Sequence, residues 1–128
     1  MPVFRELDVV IVCKLRSSTR PVDGSEGAIR QPLVGDEGAV VHVLGESMYV
    51  VECVNSGGLT VWLADFHDDE LAEPLSGWRF TTEESSAGVY RVAGFGPAGM
   101  RVEATDTDDH VALAHCREFA LQNRHGAG

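Results

Sequence analysis

At 128 residues and 44% hydrophobic content, the chain is too apolar to be disordered and is long enough for one ordinary domain or two very small ones. Its formal charge of −10 is uneven, with 13 acids against 5 bases through Ser76 and 7 against 5 after it. A field of that sign repels nucleic acid and anionic lipid and attracts cationic partners, although solubility alone is the commoner reason for such a charge.

The opening MPVFRELDVV holds an arginine and two acids and has no long apolar run. It reads as neither a secretory signal nor a membrane anchor, and the cytoplasm is the expected compartment. Three cysteines, Cys13, Cys53 and Cys116, form an odd set without a CxxC spacing, each in an apolar-periodic segment. Reduced core thiols are expected rather than disulfides or metal ligands.

Leu7–Cys13 (LDVVIVC) is a β-branched run and predicts a buried first strand. From residue 14 to 34 the pattern dissolves into proline, glycine and scattered charge, which predicts a long loop, either functional or mobile. Three strands follow, at Ala39–Leu44, Met48–Val54 and Leu59–Ala64, separated by a polar pair and a glycine pair. This is the pattern of a meander with one apolar face and one mixed face, the latter offering Tyr49, Glu52, Thr60 and Trp62. A small, strongly bent SH3-like barrel suits four or five such strands better than a sandwich does.

The segments FRELDVVIV at Phe4–Val12, GDEGAVVHV at Gly35–Val43 and MYVVECVNSGGLTVWLADFHDDEL at Met48–Leu71 resemble the bacterial family called domain of unknown function 4926. That family reads as an ELDxV strand, a short loop, a GxxGxVV turn and strand, a YxVEF strand and a closing strand. The resemblance covers roughly residues 4–73 and implies an SH3-like fold without an established activity. The chain departs from the pattern in its longer loop, Arg16–Leu33.

EPLSG at Glu73–Gly77 is a proline and glycine joint, which divides the chain into an expected barrel at 1–75 and a second unit at 76–128. The second unit predicts strands at Trp78–Glu83, Val89–Ala93 and Met100–Ala104, then a helix capped by Asp106 or Thr107. Its apolar face is Ala112, Leu113, Cys116, Phe119 and Ala120, and Gln122–Gly128 is expected to fray. A unit this small has little core of its own, so its sheet or helix is expected to pack on the barrel or on a second copy, making a homodimer. WRFTTEESSAGVYRV looks like a segment of small uncharacterised bacterial proteins, and the β-β-β-α order is similar to HicB-type antitoxin and double-stranded-RNA-binding folds. The fold class is thus mainly β, α+β.

Candidate chemistry is sparse. GFGPAG at Gly94–Gly99 has dinucleotide-loop spacing, but a proline and a strand follow where a helix must begin, so a hairpin loop is expected and no cofactor. His110 and His115 stand about 140° apart around one helix and cannot share an ion; solvated histidines and no metal site are expected, with a site assembled from His67 and His110 as the open alternative. Cys116 adjoins His115, yet adjacent helical side chains diverge by about 100°, which rules out a thiolate pair. No catalytic constellation emerges, and the chain is read as a non-enzyme.

The sharpest hint is the acidic run Asp65, Asp68, Asp69 and Glu70 beside the aromatics Trp62 and Phe66. Acid with aromatic suits a basic protein surface, so a non-catalytic protein-binding module is expected, of an immunity or antitoxin-like kind. A nucleic-acid-binding or regulatory small barrel protein is the alternative, since SH3-like barrels and β-β-β-α units both serve that role. Arg79, Arg91 and Arg101 fall in three successive strands and could form one stripe, but five bases against seven acids make a poor phosphate footprint.

Overall fold

The computed structural model describes residues 3–17, 19 and 30–126. It divides into two compact units, Met1–Pro32 with Asp36–Pro74, and Leu33–Gly35 with Leu75–Gly128. Of the expected loop at 14–34, residues 18 and 20–29 lie outside the described residues.

The first unit is a curled five-stranded half-barrel in the order β4-β3-β2-β1-β5. Its strands are β1 (Val9–Val12), β2 (Glu37–Val43), β3 (Met48–Val54), β4 (Thr60–His67) and β5 (Leu71–Ala72). All pairings are antiparallel. The meander is therefore present, but β4 runs past Ala64 to His67, and β1 is shorter than the apolar run that encodes it.

The turn between β3 and β4 shows why the chain reverses there. Asn55 Oδ1 accepts the N–H groups of Gly57 and Leu59 at 3.0 and 3.1 Å, and Gly58 takes φ +82°, a conformation that glycine adopts without steric cost. Inside the curl, Tyr49, Val51 and Cys53 of β3 face Phe66, Ala64 and Trp62 of β4. Phe4, Val10, Val12, Val40, Val61 and Leu71 belong to the same core. The N-terminal segment is tied on by Tyr49, whose buried hydroxyl accepts the N–H groups of Val3 and Phe4 at 2.7 and 3.2 Å.

The second unit is a three-stranded antiparallel sheet, β6 (Arg79–Ser86), β7 (Val89–Phe95) and β8 (Arg101–Asp106), in that order, with α1 (Asp109–Gly126) on one face. The helix packs chiefly over β7 and β8, where Ala112, Cys116 and Ala120 meet Val92 and Val102. Asp108 caps it, its Oδ1 accepting the N–H groups of His110 and Val111 at 2.8 and 3.1 Å. This corrects the expected cap at Asp106 or Thr107. Asp106 serves one step earlier, accepting the Asp108 N–H at 2.9 Å. The helix also continues through Gly126 where fraying was expected. Among the described residues no helix is long and apolar enough to cross a membrane.

The GFGPAG stretch is a hairpin loop, with Ala98 at φ +58° and Gly99 at +77°. Its first glycines serve space rather than turning. A Cβ at Gly94 would lie 2.7 Å from the Phe80 ring, and one at Gly96 would lie 2.6 Å from the Trp78 indole. The two aromatic rings, stacked at 6.1 Å, occupy the room those glycines leave.

Candidate protein-binding face

The acidic run at the end of β4 splits into residues with different tasks. Strand β4 ends at His67, and Asp68–Glu70 form one 3-10 turn. Glu70 is turned inward and is 1% exposed. Its Oε1 accepts the His67 N–H and its Oε2 the Arg16 N–H, both at 2.9 Å, while its backbone carbonyl accepts the Cys13 N–H at 2.8 Å. A buried carboxylate is tolerated when such donors replace its water, so Glu70 clamps the end of β4 to the chain leaving β1.

Asp69 lies outside this clamp and is gripped by two cations. Arg16 donates to both of its oxygens at 3.0 Å, and Lys14 Nζ lies 3.1 Å away. Hydrogen bonding from Arg16, then from Lys14, holds its carboxyl down at about 2. Asp68 is half-buried, and Asp65 is exposed.

Trp62 and Phe66 require a correction. Both are 0% exposed, with ring centroids 5.2 Å apart, so neither offers a surface to a partner, and Trp62 leaves the mixed face on which the alternation placed it. Trp62 donates its indole N–H to Asp36 Oδ2 at 2.9 Å. Asp36, also 0% exposed, receives Arg30 Nη1 and Nη2 at 2.7 and 2.8 Å. Tyr49 likewise points inward. The cause is a register shift between Cys53 and Val54, after which consecutive residues Val61 and Trp62 are both buried and strict alternation is broken.

The outer face of the half-barrel is instead Met48, Val50 and Glu52 of β3, opposite His67, Asp65 and Leu63 of β4. Cross-strand partners share a side of the sheet, so the row through Glu52 continues to Ala39 and then Val9. His42 lies opposite Val50, and a bulge leaves Val41 exposed. Thr60 Oγ1 donates to Glu52 Oε2 at 2.6 Å, which fixes that carboxylate in place.

This surface is half apolar with two carboxylates set into it. Asp65 has Val50 directly across and Leu63 and His67 two residues away along β4. Apolar neighbours exclude water from a bound complex and so strengthen any ion pair that Asp65 makes there. Sequence reasoning separated the two β3 faces correctly into Met48, Val50, Glu52 and Tyr49, Val51, Cys53. The β4 bulge hid which set turns outward.

At the rim stands Leu7. The turn Arg5–Asp8 closes with the Asp8 N–H donating to the Arg5 carbonyl at 3.0 Å, and Leu7 takes φ +76° in it. Its N–H donates to the Val40 carbonyl at 2.8 Å, and its side chain is 84% exposed. This is a position where glycine is favoured.

In the second unit, the sheet face away from the helix carries three rows, Arg79–Phe95–Arg101, Thr81–Ala93–Glu103 and Glu83–Arg91–Thr105. The three arginines therefore share one face. Arg91 is paired with Glu83 and Arg101 with Glu103. The guanidinium carbons of Arg79 and Arg101 each lie 5.6 Å from the Phe95 ring centre. Behind this sheet Cys116 is fully buried, its thiol directed at the Val92 and Val102 carbonyls at 3.5 and 3.8 Å, and burial pushes its pKa up to about 11. Cys53 is also buried, whereas Cys13 is only half-buried, which corrects its placement in the core.

No family model, curated protein or solved structure matches the chain. Geometry and charge carry the functional reading.

Proposed function

We propose that the chain is a non-catalytic, cytoplasmic binding protein whose acidic first unit covers a basic protein partner, in the manner of an immunity or antitoxin-like protein. The resemblance of residues 4–73 to domain of unknown function 4926 belongs to the same proposal. The observation that carries it is the exposed Asp65 carboxylate set among Val50 and Leu63 on the outer face of the half-barrel. In the acidic run, Asp69 and Glu70 bind Arg16, Lys14 and backbone donors, and the reading rests on the strand face beside that run, where Asp65 is exposed between apolar residues.

The test begins with capture from host extract on the immobilised chain, with an Asp65→Lys variant as the control. The captured partner is expected to be basic and to be lost from the control. With that partner purified, Asp65→Lys is expected to slow association and flatten its salt dependence, because steering acts within a Debye length of about 8 Å at physiological salt. Leu63→Ala is expected to act on the dissociation rate instead. An acidic partner, or unchanged association by Asp65→Lys, overturns the reading.

A second reading, nucleic-acid binding, is favoured by one observation, the common face of Arg79, Arg91 and Arg101 around Phe95. Glu83 and Glu103 offset two of those three charges, which makes it the weaker reading. Fluorescence anisotropy with a labelled mixed-sequence oligonucleotide separates the two. Binding that weakens steeply with salt and is lost on Arg79→Ala would favour it.

A further inference from the structure

Strand β6 is the exposed edge of the second unit's sheet. It pairs with β7 along its length from Arg79 to Ser86, and among the described residues it has no strand on its other side. Every residue of β6 except Phe80 is exposed, because the helix lies chiefly over β7 and β8 and reaches β6 only at Phe80. Edge strands are ordinarily protected by charged side chains, proline or a bulge. β6 (RFTTEESS) has no proline, its single irregularity lies between Glu84 and Ser86, close to the turn, and its charges are of both signs, Arg79 against Glu83 and Glu84, so they repel a second copy only in some registers. Arg79 to Glu83 is an uninterrupted template.

We infer that β6 pairs antiparallel with β6 of a second copy, joining two three-stranded sheets into one of six strands. Symmetry restricts how this can happen. A twofold axis that relates antiparallel neighbours stands perpendicular to the sheet, so residues on the open face meet only residues on the open face. The axis must therefore pass through a residue rather than between two. An axis at Glu83 sets that carboxylate against its own copy, and an axis at Thr82 sets Phe80 against the second copy's Glu84. An axis at Thr81 places Arg79 opposite the second copy's Glu83 and repeats that pair on the other side of the axis. Thr81 then faces Thr81, and Phe80 faces Thr82.

This register makes the surface complementary to itself. Two opposite-charge pairs and a threonine pair are the cross-strand contacts that stabilise antiparallel sheets, whereas like charges directly opposite destabilise them. The row on the open face becomes Arg101, Phe95, Arg79, then the second copy's Glu83, Arg91 and Thr105. Glu83, held on one side by Arg91, gains a second guanidinium on the other. Arg79 has Phe95 beside it and no carboxylate partner among the described residues, and the pairing supplies one. This surface lies in the second unit and stands whether or not the first unit binds a basic partner.

The experiment uses the full chain in sedimentation equilibrium together with charge exchange. The wild type is expected to dimerise. Arg79→Glu and Glu83→Arg each create two like-charge pairs and are expected to weaken the dimer about tenfold or more, whereas the combined Arg79→Glu, Glu83→Arg chain is expected to return to within about threefold of wild type. Thr81→Cys, exposed and on the axis, is expected to give a disulfide-linked dimer under mild oxidation. Thr105→Cys, on the same face but on the β8 edge, is expected not to. A wild type that stays monomeric at about 1 mM, a dimer indifferent to both single exchanges, or equal crosslinking at positions 81 and 105 overturns the inference.

Discussion

Asp36 offers the severest test of how the first unit is held together. Its carboxylate is 0% exposed, and its donors include two from Arg30 at 2.7 and 2.8 Å and the Trp62 indole at 2.9 Å. Asp36→Ala would strand the largest fully buried side chain of the core with an unpaired N–H, and would leave Arg30, 16% exposed, without its counter-charge. Breaking a buried ion pair from one side costs about 3–5 kcal/mol, since the remaining charge keeps its desolvation penalty. Asp36→Asn keeps an acceptor for the indole and loses the charge, so about half that cost is expected. Trp62→Phe removes a single neutral donor together with some packing and is expected to cost about 2 kcal/mol. The assay is urea unfolding followed by far-ultraviolet circular dichroism, comparing midpoints at constant slope. The order Asp36→Ala, then Asp36→Asn and Trp62→Phe is the expected result. An Asp36→Ala chain within about 1 kcal/mol of the parent would show that the three groups are not coupled as their distances imply.

Two further outcomes follow from the backbone and from the buried thiol. Leu7→Gly, at φ +76° and almost free of neighbours, is expected to leave stability unchanged or to raise it by up to about 1 kcal/mol, and a clear loss of thermal stability would show that the Leu7 side chain is held by the folded protein. The Cys116 thiol is held neutral up to about 11 in the folded state against 9.0 for a free thiol, so only the unfolded chain ionises between those values. Stability should therefore fall as pH rises from 9 to 11, and Cys116→Ala should flatten that fall; equal slopes in urea titrations of the two chains would refute the burial argument.

The strands were legible because β-branched runs broken by Gly57–Gly58 and Gly45–Glu46 leave few alternatives, and the helix was legible because Ala112, Cys116 and Ala120 recur on one face. Sidedness was less legible. Period-two reading assumes an unbroken ladder, and the irregularities after Val40 and after Cys53 each advance the pattern by one residue, enough to turn Trp62 from an expected surface residue into a core one. Glu70 was hidden for another reason. Its partner Arg16 is 54 residues away, so nothing local marks it as buried, although its spacing of three from His67 is that of a side chain folding back onto a backbone N–H. The outer face was half visible, since Met48, Val50 and Glu52 were grouped together before their orientation was known.

Gly94 and Gly96 are the cast of which Phe80 and Trp78 are the mould. A methyl group at either glycine has no place to go unless the facing ring shrinks or withdraws, and a smaller ring leaves a gap that only a larger residue opposite can fill. Positions 94 and 80, and positions 96 and 78, are thus coupled by volume, and a methyl added at either glycine is expected to be tolerated better beside a smaller facing residue than alone.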